Sequence, residues 1–149
     1  MKKTTTHSRS GLFLMELILS LLILSLAAAA CIQIFAAARS FRRQAREWNH
    51  IQELTISAGE ILEGTDGSTE AFLHLLPDGT AADHTLTYSF DTGWEPCAKS
   101  EAAYQMIITL HTGPGVKQAD LQFQNSRGET LYEQTIRFPL LSQREEADS

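Results

Sequence analysis

Cysteine is scarce in this 149-residue chain, and the two that occur, Cys31 and Cys97, stand in unlike surroundings, one inside an apolar run and one in a loop-like stretch. Two such residues build no disulfide framework, so separate thiols are expected, with an intermolecular bond through Cys97 as the alternative. The five histidines, His7, His50, His74, His84 and His111, show no metal-ligand spacing. Asp78 and Asp83 flank a turn without the dense set of oxygen ligands that a calcium loop needs. There is no glycine-rich phosphate loop, nucleophile motif or internal repeat. Catalysis, a cofactor and a small-molecule substrate are therefore not expected.

Positive charge is also in short supply. Lys2, Lys3 and Arg9 precede Gly11, which leaves 9 basic against 18 acidic residues in the remainder. A body with that balance disfavours nonspecific attraction to nucleic-acid phosphates, and direct nucleic-acid binding is not expected. Arg39, Arg42, Arg43 and Arg46 form the one basic cluster. Its place just beyond an apolar helix points to lipid headgroups or acidic neighbours before DNA.

What is present is apolar content, 43% overall against 20% charged residues, as in globular chains. It is unevenly spread. Between Leu12 and Ala38 the only polar side chains are Glu16, Ser20, Ser25 and Gln33, and no proline or glycine interrupts the run. As a helix this stretch would span about 40 Å, against a hydrocarbon core of about 30 Å. A plain signal anchor is one reading, with the basic start held in the cytoplasm. A cleaved secretory signal is another, using the small residues Ala27 to Ala30 or Ala36 to Ala38, or a loose lipoprotein box ending at Cys31. The third rests on Glu16, a carboxylate that would cost about 2.5 to 3.5 kcal/mol at the centre of a bilayer and less near its edge.

The stretch Ser10-Gly11-Leu12-Phe13-Leu14-Met15-Glu16, with a short basic leader before it and an aliphatic helix after it, resembles the prepilin motif of type IV pilins and type II secretion pseudopilins. The resemblance covers about the first 40 residues. It implies cleavage by a prepilin peptidase between Gly11 and Leu12, N-methylation of Leu12, and pairing of Glu16 with the Leu12 amine of a neighbouring subunit. It departs from the family in carrying Leu12 rather than Phe directly after the glycine. Gln33 replaces the helix-bending proline of many major pilins, which favours a straighter helix and a minor subunit. The implied partners are the peptidase, other pilin or pseudopilin subunits and the membrane.

The implied location is the bacterial cytoplasmic membrane, single-pass with the globular part outside, followed by a surface or periplasmic filament of the pilus, secretion or competence kind. Flanking charge does not decide orientation, because four arginines after the span oppose three basic residues before it. The alternative is a signal-anchored or Cys31-lipidated extracytoplasmic binding domain that does not polymerise.

Past Ala38, Phe41, Ala45, Trp48, Ile51, Leu54, Ala58 and Ile61 recur every three or four positions, the mark of an amphipathic helix running to about Glu63. Ser68 to Leu76 reads as a short helix capped by Ser68 and closed by Pro77-Asp78-Gly79. Four strands are then expected, around Thr85–Phe90, Ala103–His111, Ala119–Gln124 and Thr130–Phe138. The fold class is α+β: a long N-terminal helix, half for the membrane and half amphipathic, packed on a four-stranded antiparallel meander in a pilin-like arrangement. The expected divisions are a leader at 1–11, an apolar helix at 12–38, a globular part at 39–141 and a disordered acidic tail at 142–149. In the long loop Asp91 to Ser100, Trp94 is expected either to contact another subunit or to tuck over the sheet edge.

Overall fold

A computed structural model describes residues 7–140; Lys2 and Lys3 of the expected leader and the expected tail at 142–149 lie outside the described residues. Helix α1 runs His7–Gly64 without a break, 58 residues long. No proline occurs in the chain before Pro77, so nothing removes a backbone donor from this helix. The chain divides into two compact units, one up to Arg46 and one from Glu47 onward.

In the first unit α1 buries almost nothing. Leu12, Phe13, Leu19, Leu22 and Phe35 are all more than half exposed. The helix holds a stretch long and apolar enough to cross a membrane, with none of that stretch buried among the described residues. Phe41 and Ala45, expected on the buried amphipathic face, belong to this unit and are exposed.

The second unit is built on an antiparallel sheet. Helix α2 (Thr69–Leu75) precedes it, with the Ser68 hydroxyl accepting from the Ala71 amide at 3.2 Å, as an N-cap should. The strands are β1 (Thr80–Ala82), β2 (Thr85–Phe90), β3 (Tyr104–Gly113), β4 (Val116–Asn125) and β5 (Thr130–Pro139). They pair in chain order, so the sheet is a five-stranded meander and not the four-stranded one expected from sequence. The added strand is β1, which pairs Thr80 with Thr87 and Ala82 with Thr85. Its three residues are all exposed, so it carries no alternation of apolar and polar side chains to betray it. Asp83, at φ 54°, makes the tight turn between β1 and β2 without the usual glycine.

β3 and β4 are longer than their sequence patterns. Gly113 pairs with Val116, which leaves only Pro114 and Gly115 to turn, and Gly115 takes φ 77°. Between β4 and β5, the Asn125 side-chain oxygen accepts from the amides of Arg127 and Glu129 at 2.9 and 3.0 Å, with Gly128 at φ 78°.

The core lies between the inner face of the sheet and α1. Ile51, Thr55, Ala58, Ile61 and Leu62 recur at helical spacing and are buried. Ile51, Ala58, Ile61 and Leu62 form one cluster with Leu86, Tyr88, Met106, Ile108, Leu121 and Phe123, and with Phe72 of α2. Register stacks these as cross-strand rows, Leu86 with Ile108 and Leu121, and Tyr88 with Met106 and Phe123. Each fully buried large side chain contributes about 1.5–3 kcal/mol. Thr55 is tolerated there because its hydroxyl donates to the Ile51 carbonyl at 2.7 Å.

Candidate functional site

Gly11, Leu12 and Glu16 occupy the opening turns of α1, all exposed. Gly11 is an ordinary helical residue outside the positive-φ set, and a Cβ added to it would meet nothing within 4 Å. Neither backbone conformation nor packing within the described chain calls for glycine there, although glycine inside a helix costs about 0.5–1 kcal/mol relative to alanine. Among the described residues nothing hydrogen-bonds to or pairs with the Glu16 carboxylate. Cys31 is exposed on the same uninterrupted helix, with no polar tether following it.

The other sequence-stated features fall in the second unit. Trp94 lies stacked on Tyr104, centroids 4.3 Å apart and planes 13° apart, with His50 of α1 on it at 5.3 Å and 15°. The loop is thus clamped onto its own sheet and helix, and Trp94 takes the tucked position rather than an outward one. Asp91 holds the turn by accepting from the amides of Gly93 and Glu95 at 2.8 and 3.0 Å, which allows Trp94 its φ of 64°.

Cys97, half-buried, lines an open groove of about 320 Å³ with Asp78, Thr80, Thr87, Ser89 and Lys99. Burial, followed by the nearby Asp91 and Glu101 carboxylates, raises its thiol pKa, which keeps it in the poorly nucleophilic thiol form. Both cysteines are free. Among the described residues no group of three His, Cys, Asp or Glu side chains could hold a metal ion.

Two polar features were not read from the sequence. Lys117 sits at a core-facing position of β4, only 4% exposed, and its ammonium donates to the carbonyls of Glu63, at 2.8 Å, and Thr65. A strand lysine thereby closes the C-terminal end of α1, where unpaired carbonyls and the negative end of the helix dipole both favour a cation. Its alternation with Ala119, Leu121 and Phe123 along β4 was the available signal.

The second feature is a ladder on the outer sheet face. Asp120 accepts from Thr135 Oγ1 at 2.7 Å and from the Gln118 amide at 3.1 Å, and lies 3.0 Å from His111 Nε2. Arg137 Nε donates to Gln118 Oε1 at 2.7 Å, a second link from β5 to β4. Such a network fastens three strands. No family model, curated protein or solved structure matches the chain.

Proposed function

We propose that this chain is a structural subunit, of minor pilin or pseudopilin kind, that is processed after Gly11 and enters a membrane-borne filament through α1. The observation that carries the reading is the division of labour along α1. Its C-terminal part is packed under the sheet, while its apolar N-terminal part has no partner among the described residues. An apolar helix of that length is costly in water and needs lipid, other helices, or each in turn. Gly11 supports processing, since the fold makes no use of it and a peptidase cleft that admits only a small side chain would.

Glu16 supports assembly. A carboxylate without a partner in an apolar helix becomes favourable once a cation of a neighbouring subunit reaches it, and the new Leu12 amine supplies one. In this reading the chain starts in the bacterial cytoplasmic membrane with the sheet unit outside, and its partners are the prepilin peptidase and like subunits. It performs no catalysis and takes no cofactor.

Intact-mass analysis of the N-terminus in the native host tests the processing step: a methylated Leu12 is expected, whereas an uncut Met1 or a lipidated Cys31 would end the proposal. Glu16→Ala tests assembly. Cleavage should persist while recovery in the sheared filament fraction is lost; unchanged recovery removes the pairing role from Glu16.

A further inference from the structure

Strand β5 ends the sheet, and a sheet edge is a row of unpaired backbone groups open to another strand. One hydrogen bond shows which groups these are. The Leu140 amide donates to the Gly115 carbonyl at 2.9 Å, and Leu140 falls opposite Gly115 in the register that sets Pro139 against Val116. Antiparallel pairs alternate between bonded and unbonded, so Tyr132, Gln134, Ile136 and Phe138 turn their N–H and C=O groups to β4. Glu133, Thr135 and Arg137 turn theirs outward, and among the described residues no backbone bond from a turn or loop reaches them.

The usual protections of an edge are missing along this span. β5 is ten residues long, its proline is its last residue, and the irregularity in its pairing with β4 lies at Phe123/Gln124, before Glu133 is reached. β1, at the other edge, has three residues. On the inner face Ile136 and Phe138 are only half-buried. A Cβ on Gly59 of α1 would lie 3.7 Å from Ile136 Cδ1, and Ile56, three residues before Gly59 on that side of the helix, is 61% exposed. The inner side of the edge is thus apolar and open.

Charge on the outer side selects the partner. Glu133, Thr135 and Arg137 share that face, where Thr135 and Arg137 bond to Asp120 and Gln118. Glu133 is exposed with no partner among the described residues, and Gln118 holds Arg137 through Nε, which leaves the Nη groups for a carboxylate. A second β5 brought up antiparallel about a twofold axis through Thr135 sets Glu133 of each copy opposite Arg137 of the other. Thr135 then faces Thr135. All of these are outward-turned residues, so each facing pair can exchange both backbone hydrogen bonds. Moving the axis to Glu133 or to Arg137 puts like charges face to face, and moving it to Gln134 or Ile136 leaves every charge opposite an uncharged residue.

We propose that β5 is a self-complementary edge that docks a second copy of the chain antiparallel, joining two sheets into one. The axis stands normal to the sheet, so both inner faces stay on one side and the stretches of α1 packed on them run in opposite senses. The contact therefore joins opposed copies, as where two filaments or two membranes meet, and not neighbours aligned alike. It holds or fails independently of the filament reading.

The test uses the full chain, solubilised in mild detergent and kept reduced so that neither cysteine can join copies. Sedimentation should show a monomer–dimer equilibrium for the native chain. Glu133→Arg and Arg137→Glu each bring like charges together at both ends of the contact, and each should weaken the dimer by at least about tenfold. The two changes combined restore opposite charges and should return the dimer to within about threefold of native. A dimer unchanged by either single variant is held by another surface, such as the apolar half of α1, and overturns the proposal. A combined variant as weak as the single ones also overturns it, because an edge that takes an unrelated strand gains nothing from the exchange. A native chain that stays monomeric does the same.

Amide exchange in the native chain reads the register without any substitution. Raising the protein concentration should slow exchange at Glu133, Thr135 and Arg137 more than at Gln134 and Ile136, which β4 already pairs. Exchange at those three amides that ignores concentration would refute the edge pairing.

Discussion

At the scale of single residues, Lys117 shows how a charge is made to fit an apolar interior. Its stem lies against Gly67, which has φ 77°, and its ammonium replaces lost water with two carbonyls at the end of α1. Lys117→Met keeps most of the stem and leaves those carbonyls unpaired. It should lower the free energy of unfolding by about 1–3 kcal/mol. Exposed Lys99→Met should stay within about 0.5 kcal/mol. Urea unfolding of the detergent-solubilised chain, followed by tryptophan fluorescence, measures both. Lys117 was not legible beforehand because its partners, Glu63 and Thr65, lie more than fifty residues earlier. Ser68, by contrast, was legible, since a cap acts on an amide three residues away.

At the scale of elements, the outer face of the sheet depends on Asp120. The Thr135 hydroxyl chiefly, then the Gln118 amide and the His111 ring, hold its carboxyl below the ordinary value of 3.8. A carboxyl whose pKa is lower in the folded than in the unfolded chain adds stability above its unfolded pKa. That stability is lost as pH falls through the lower, folded value. The native chain should therefore be more stable than Asp120→Asn at neutral pH, and the difference should shrink below about pH 4. Melting temperatures of the two chains across that range check it; a constant gap would show that the ladder acts through shape alone. β2, β3 and β4 bury alternate residues, as the Leu86, Tyr88 and Phe90 pattern announces, whereas β5 only half-buries Ile136 and Phe138 and was visible through its strand-forming residues after the Asn125–Gly128 turn. β1 was not, because three exposed residues leave no periodic trace.

At the scale of the whole molecule, the N-terminal part of α1 is exposed and apolar while the C-terminal part buries one face under the sheet. Membrane association should reside in the apolar half, and the full chain should stay with the membrane pellet through an alkaline carbonate wash. Leu22→Arg with Leu24→Arg should release it, since arginine at the centre of a membrane helix costs about 2.5–3.5 kcal/mol each. The native chain appearing in the supernatant would refute the anchoring.

Composition and order alone determined the long apolar helix, the alternating strands and the Gly11–Glu16 spacing, and they marked an amphipathic face from Phe41 to Ile61 of which Phe41, Ala45 and Trp48 are exposed. All of these are properties of neighbours a few residues apart. Only the tertiary structure decided that Phe41 stays exposed, that Thr55 and Leu62 join the core and that β1 adds a fifth strand. It also decided that Trp94 stacks between His50 and Tyr104 and that Lys117 closes α1. Each of those outcomes depends on which surface arrives from a distant part of the chain, and local periodicity carries no record of that. The N-terminal half of α1 is the converse case. Its apolar surface finds no partner among the described residues, so packing within them does not decide what covers it.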